Sequence, residues 1–307
     1  MIETETTPAV ATKPAANAIT AKDFKGKVAP DWCPGCGDFG VLTAIQKALV
    51  ELQIPPHQAI VISGIGCSSN LPGFIETYGM HTLHGRSLPV ATGAQLANHK
   101  LKVIATGGDG DGFGIGGNHF VHTSRRNVDV TYIVMDNQIY GLTTGQCSPT
   151  SRKGKITKTT PFGSIENPIN PIPLAIVAGA TYVARGFSGN QKHLTELIKG
   201  GIQHRGFSFI DVFSPCVTYN KENSTEFFKQ RTKILEEMGH NPKDKAKAIE
   251  LGFLWGDEIP IGLFYKNDDE MSLDEQEPVL SENDTPLALR SLGVSEENAK
   301  SLVKELM

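Results

Sequence analysis

An acidic residue between two glycines, Gly108-Asp109-Gly110, follows the apolar run 101–106, and Asn137 follows a second such run, 130–135. A helix-length segment separates the two runs. This pattern constrains the fold more than any other feature of the chain. Two buried parallel strands need a crossover connection and a sheet covered on both faces. In a doubly wound α/β sheet such strand ends share the carboxyl edge, where ligands bind. Asp109 and Asn137, 28 residues apart, there offer two hard oxygens to one Mg²⁺. Mg²⁺ keeps few protein ligands and completes its octahedron with phosphate and water. Gly108 and Gly110 let backbone N–H groups approach a diphosphate closely.

The spacing resembles the diphosphate-binding signature of thiamine-diphosphate enzymes. A dinucleotide loop is the rival reading, because Gly112, Gly114, Gly116 and Gly117 continue the glycine run. That fingerprint wants an acidic residue about 20 positions on, closing a second strand. Asn137 stands in that role, 28 positions on, which favours the Mg²⁺–diphosphate reading.

Strand-like and helix-like segments alternate along most of the chain. Residues 39–52 carry a helical apolar stripe, 59–63 read as a buried strand, the stretch with Pro72, Gly73, Gly79 and Gly85 as irregular, and 88–99 as a helix. Residues 112–126 read as a helix diluted by glycine. Residues 143–170 are polar and too long for an ordinary connection, so they are expected to be a functional lid or disordered. Further segments, 171–180, 181–185, 191–204 and 207–213, continue the alternation, and an amphipathic helix is expected to about Met238. The expected architecture is a doubly wound, mostly parallel α/β sheet. Its organisation is a flexible tail over 1–24, a cofactor-binding domain over 25–240, and a C-terminal extension over 241–307 that packs on the domain or on a partner.

The formal net charge of −4 argues against nucleic-acid or anionic-membrane binding. No apolar run approaches the roughly 20 residues of a membrane span. The amino terminus, rich in Thr, Ala and Pro, lacks the apolar core of a secretory signal, so a cytoplasmic location is expected.

Five cysteines in such a context favour metal binding over disulfides. Cys33-Pro-Gly-Cys36 is a pair at a helix start, where a thiol pKa falls, but no strand precedes it as in a thioredoxin-like dithiol. Cys67 and Cys216 each follow a strand. In a parallel sheet both reach the edge that carries Asp109 and Asn137. Four thiolates accommodate either a [4Fe–4S] cluster or structural zinc. One close pair joined to two isolated cysteines favours the cluster, because zinc sites tend to use two close pairs. Cys147 lies in the polar segment and is expected to be an unreactive thiol.

Together these residues resemble the β subunit of 2-oxoacid:ferredoxin oxidoreductases. The resemblance rests on Trp32-Cys-Pro-Gly-Cys-Gly37, Gly64-Ile-Gly-Cys-Ser68, His84-Gly-Arg86, Ala91-Thr-Gly-Ala94, Gly108-Asp-Gly-Asp111, residues 136–143 and Ser214-Pro-Cys216. The string 259–265 is also similar. The resemblance implies that Cys33, Cys36, Cys67 and Cys216 hold a [4Fe–4S] cluster. It implies Mg²⁺ on Asp109, Asn137 and the Ile139 carbonyl. Gly108, Gly110, Asp111 and His84 would border the diphosphate, and Gly64, Ile65, Gly66 and Cys67 would lie near the thiamine.

The implied reaction is coenzyme A-dependent oxidative decarboxylation of a 2-oxoacid, with electrons passed to ferredoxin and reversal toward CO₂ fixation open. The carboxylate that activates thiamine would come from an α or fused α–γ subunit, in an αβ or α₂β₂ assembly. Substrate-pocket candidates are Ser68, Ser69, Asn70, Leu142, Thr143 and Thr144. The lead substrate is 2-oxoglutarate, with pyruvate or broad specificity as the alternative. A different class remains open: a non-redox thiamine-dependent decarboxylase with structural zinc.

Overall fold

A computed structural model describes residues 18–291 and 294–305. The tail expected over 1–24 therefore falls mostly outside the described residues. Its end, Ala21–Phe24, is one 3₁₀ turn that buries Phe24.

The strands are β1 (Ala59–Ser63), β2 (Tyr78–His81), β3 (Lys102–Gly108), β4 (Thr131–Asp136), β5 (Tyr182–Phe187), β6 (Ser208–Phe213), β7 (Thr232–Ile234) and β8 (Ile259–Lys266). Among the described residues they form one eight-stranded sheet in the order β2-β1-β3-β4-β6-β5-β8-β7. Pairing is parallel throughout except between β5 and β8. The doubly wound, mostly parallel α/β fold expected from the sequence is thus present. From β1 the chain first moves outward to β2, then returns to β3 on the other side. That reversal makes the β1/β3 crevice the switch point, where ligands bind in such sheets.

Alternation along the central strands covers both faces. Ile133, Met135, Ile210 and Val212 pack beneath α1 (Asp38–Glu51) and α6 (Gln191–Gln203). Tyr132, Val134 and Phe209 pack on the opposite side, beneath α3 (Ser87–Ala97), α4 (Gly117–Arg125), α5 (Pro171–Ala178) and α8 (Lys245–Gly252). The short helix α2 (Leu71–Phe74) adds Leu71 and Phe74 to the first of these layers, and α7 (Thr225–Arg231) buries Phe228 in a smaller cluster with Phe187, Phe213, Ile259 and Ile261. Among the described residues no helix is long and apolar enough to cross a membrane.

Three expectations change. The stretch between β1 and α3, which reads as irregular, contains α2 and β2. All four residues of β2 are exposed, so no buried-strand pattern marked it. The glycine-diluted helix begins only at Gly117, and Gly110–Ile115 is a wide π-type turn. The helix expected to Met238 ends at Arg231, where the chain enters β7 and pairs with β8. β8 itself lies beyond residue 240 yet is hydrogen-bonded into the main sheet.

Inside the sheet, Arg185 Nε donates to Asp211 Oδ2 at 3.1 Å, with both side chains buried. The guanidinium lies between the Phe213 and Phe264 rings, 5.2 and 5.4 Å from their centroids. Burial pushes Asp211 up to about 6, so it is ionised at neutral pH and paired. Asp211→Ala should destabilise the protein by about 3–5 kcal/mol, because it leaves a buried charge unpaired. Replacing both partners, Arg185→Met with Asp211→Leu, should recover most of that loss. Unfolding midpoints of the two variants check this; an Asp211→Ala protein as stable as wild type would contradict it.

Candidate functional site

The four strands β1, β3, β4 and β6 are consecutive neighbours, and the segments after them carry Cys67, Asp109, Asn137 and Cys216. A cavity of about 100 Å³ lies over the first three strand ends. Gly64 aside, the cofactor-binding residues expected from sequence line it: Ile65, Gly66, Cys67, His84, Gly108, Asp109, Gly110, Asp111, Asn137 and Ile139. Asp38, Met135, Tyr140 and Gly141 also line it and were not anticipated.

Asp111 knots three loops around this cavity. Its Oδ1 accepts from Ile65 N at 2.9 Å, Gly85 N at 2.7 Å and His84 Nδ1 at 2.8 Å. Those bonds commit that oxygen to internal donors, so Asp111 shapes the rim. Gly64 has a steric role there, since a Cβ on it would overlap the Asp111 carboxylate. Gly110 likewise sits flat against the Tyr140 ring, with no room for a Cβ.

The donors that remain suit a hard cation. Asp109, Asn137 and Ile139 line one cavity, and a carboxylate, an amide and a carbonyl oxygen are the ligand chemistry of Mg²⁺. Ser68 lines the same cavity, and its buried hydroxyl has no partner among the described residues. A Cβ on Gly66 would meet nothing within 4 Å, so the backbone there is open to a ligand. The residues present therefore fit a metal–diphosphate group. Burial pushes the Asp109 carboxyl up, against hydrogen bonds from Ser148 and Thr150 that lower it. A divalent cation beside it would hold it ionised.

Behind Asp109 lies a buried hydroxyl bridge. Thr150 Oγ1 is 2.5 Å from Asp109 Oδ2 and 3.0 Å from Asp136 Oδ1. One hydroxyl carries one hydrogen and cannot donate to both. Burial, then the charges of Asp109 and Asp211, hold Asp136 well above the usual carboxylate range, so a neutral Asp136 can supply the second hydrogen.

Asn137 and Ile139, just beyond β4, hang on an unusual backbone turn. Gln138 adopts a left-handed φ of 57°, rare for a residue with a side chain. It separates Asn137 from Ile139, and Ile139 N donates to Asn137 Oδ1 at 3.0 Å.

The cysteines meet the same edge. A Cβ on Gly141 would lie 3.5 Å from Cys67 Sγ, 3.6 Å from Asn137 Nδ2 and 3.9 Å from Cys216 Sγ. Trp32 Nε1 donates to Cys67 O at 2.6 Å, and Gly37 N to Pro215 O at 3.2 Å. These two bonds dock the Cys33–Cys36 turn between the β1 and β6 ends. Burial and the nearby Asp38 push the Cys67 thiol up to about 11, and Cys36 higher still. Asp38 itself is pushed up to about 6 by burial, with Ser214 Oγ donating to it at 2.5 Å. Among the described residues no three His, Cys, Asp or Glu side chains converge tightly enough for a single metal ion.

Of the substrate-pocket candidates, Ser68, Leu142 and Thr143 line the cavity. Ser69, Asn70 and Thr144 do not. Ser69 Oγ donates inward to Gly66 O at 2.5 Å, and Asn70 Nδ2 points to Asp31 Oδ1 at 3.3 Å. Cys147 contacts Lys155 O and Thr160 Oγ1 within the polar segment, apart from the other cysteines.

A doubly wound sheet with a glycine-turned cavity at its switch point is the architecture of a thiamine-diphosphate-binding domain. The family model "Thiamine pyrophosphate enzyme, C-terminal TPP binding domain" matches residues 64–212. A second model, for the C-terminal region of the pyruvate ferredoxin oxidoreductase beta subunit, matches residues 216–282. The chain is 49% identical over 254 residues to the β subunit of 2-oxoacid:ferredoxin oxidoreductase 1 from Aeropyrum pernix, covering 80% of each. It is 47% identical over 199 residues to the 2-oxoglutarate oxidoreductase subunit KorB of Mycobacterium tuberculosis, covering 65% of this chain and 53% of that one. A solved structure of 2-oxoglutarate:ferredoxin oxidoreductase from Magnetococcus marinus, with 2-oxoglutarate, coenzyme A and succinyl-CoA bound, superposes with a TM-score of 0.85 at 43% identity. That match covers 96% of this chain and 99% of the other. The chain belongs to the family of 2-oxoacid:ferredoxin oxidoreductase β subunits, oxidoreductases that work with partner subunits.

Gly64→Ala tests the rim geometry. The added methyl would displace Asp111, at about 1–3 kcal/mol of overpacking. A lower unfolding midpoint together with weaker thiamine diphosphate binding is expected. Unchanged cofactor affinity would mean that Asp111 does not shape the site.

Proposed function

We propose that this chain, with an α or fused α–γ subunit, catalyses coenzyme A-dependent oxidative decarboxylation of 2-oxoglutarate and passes the electrons through a [4Fe–4S] cluster to ferredoxin. The observation that carries this reading is the meeting of Cys67 and Cys216 sulfurs beside Asn137, at the wall of the diphosphate cavity. Thiamine, when bound, supplies an electron sink for the decarboxylated carbon. A one-electron carrier at that wall gives the stored pair an exit.

The roles of the chain's own residues follow. Asp109, Asn137 and the Ile139 carbonyl hold Mg²⁺, while the N–H groups around Gly108 and Gly110 face the diphosphate. Ser68, Leu142 and Thr143 border the substrate end. Cys33, Cys36, Cys67 and Cys216 hold the cluster. A single zinc needs four sulfurs at about 2.3 Å from one point. Cys33 and Cys36 form one close pair while Cys67 and Cys216 stand apart in the chain, whereas zinc sites tend to use two close pairs. Among the described residues no glutamate lines the cavity, which supports an activating carboxylate from the partner subunit. Relatives named for 2-oxoglutarate, and the neighbour that holds it, support that substrate. Asn70 bonds Asp31 and does not line the cavity, so it has no assigned role in holding that substrate.

Anaerobic copurification with the partner should give brown protein with about four iron and four sulfide per β chain. Colourless zinc-bearing protein would overturn the redox reading in favour of a non-redox decarboxylase. Asp109→Ala should lose thiamine diphosphate while keeping its iron; retention of the cofactor would remove the Mg²⁺ assignment. In dye-reduction assays 2-oxoglutarate should outrun pyruvate, and the reverse order would replace the substrate.

A further inference from the structure

The polar segment expected to be a lid or disordered is instead bonded into the back of the metal site. Besides the Thr150 bridge to Asp109 and Asp136, Ser151 Oγ donates to Gln138 O at 2.6 Å. Ser148 N donates to Ser151 Oγ at 2.8 Å, which fixes the direction of that hydroxyl. Farther along, Lys155 Nζ donates to Asn220 Oδ1 at 2.8 Å, and Asn220 Nδ2 donates to Asn137 O at 2.9 Å. Thr150, Ser151 and Lys155 are all buried despite their polarity. A buried hydroxyl or ammonium without partners is costly; Thr150 is answered by the Asp109 and Asp136 carboxyls, Ser151 by the Gln138 carbonyl, and Lys155 by Asn220 and Glu222.

We propose that residues 148–155 form a strap in which Thr150 and Ser151 are positioning residues for the metal–diphosphate site. Thr150 fixes the rotamer of Asp109 from behind. Ser151 holds the carbonyl of left-handed Gln138, the residue that sets Asn137 and Ile139 on the same side. Neither residue lines the cavity. Ligand-orienting partners of this kind typically account for 10–100-fold in metal affinity when removed. The inference rests on the Mg²⁺–thiamine diphosphate reading of the site.

The test uses the copurified complex. Mg²⁺ dependence of thiamine diphosphate binding is measured by calorimetry, and Mn²⁺ in place of Mg²⁺ is followed by electron paramagnetic resonance. Thr150→Val, which keeps the shape and loses the hydroxyl, should weaken the apparent metal affinity by about 10–100-fold. It should also broaden the Mn²⁺ spectrum, as Asp109 samples more than one geometry. Thr150→Ser should bind metal close to wild type. Ser151→Ala should broaden the spectrum on its own, and it decides the matter if Thr150→Val does not fold. Wild-type metal affinity in Thr150→Val overturns the proposal, as does a Thr150→Ser protein equally impaired. Wild-type complex that binds thiamine diphosphate without divalent metal overturns the parent reading and this inference together. A metal-dependent wild type with an unaffected Thr150→Val overturns the inference alone.

Discussion

Everything at this site depends on one constraint: β1, β3, β4 and β6 run parallel and end side by side. Because each strand leaves the sheet at the same edge, residues far apart in the chain meet there without long-range reach. Cys67, Asp109, Asn137 and Cys216 are separated by up to 149 positions in the chain (216 − 67) yet follow four adjacent strands. The parallel arrangement survives only because apolar side chains cover both faces, Ile133 and Met135 on one and Tyr132 and Val134 on the other. Loss of either helical layer would expose those strands and dissolve the edge.

A second consequence of that edge is the concentration of buried acid. Asp38, Asp109, Asp136 and Asp211 are all pushed upward by burial, and each has a specific answer. Asp211 has Arg185, Asp38 has Ser214, and Asp109 and Asp136 share Thr150. A divalent cation beside Asp109 would favour its ionised form.

Much of this was legible in the sequence. The runs before Asp109 and Asn137 formed strands close to their expected bounds, because short, mostly apolar stretches of this kind suit a parallel sheet covered on both faces. The Cys33–Cys36 turn stands at the start of α1 as its spacing suggested. Other elements were hidden for physical reasons. β2 is exposed on every residue, so no burial pattern marked it. The helix expected to Met238 broke at Arg231 because Ile234 found a partner in β8, a long-range pairing that local periodicity cannot register. Asp38 directly follows the cysteine pair and carried a readable signal, an acid at a helix start beside two thiols. Thr150 carried almost none, since Ser-Pro-Thr-Ser in a polar stretch looks like any loop.

The sequence by itself determined the chemistry available: a carboxylate and an amide after buried strands, glycines where backbone must approach a ligand, and cysteines after other strands. Those assignments are local, resting on residue type and on the apolar period around it. The tertiary structure alone decided which groups became neighbours. It paired Asn70 with Asp31, brought the Cys67 and Cys216 sulfurs to Asn137, and folded the polar segment behind Asp109. Hydrogen-bond satisfaction in a buried space is the reason, because a donor's partner there is set by three-dimensional proximity and not by distance along the chain.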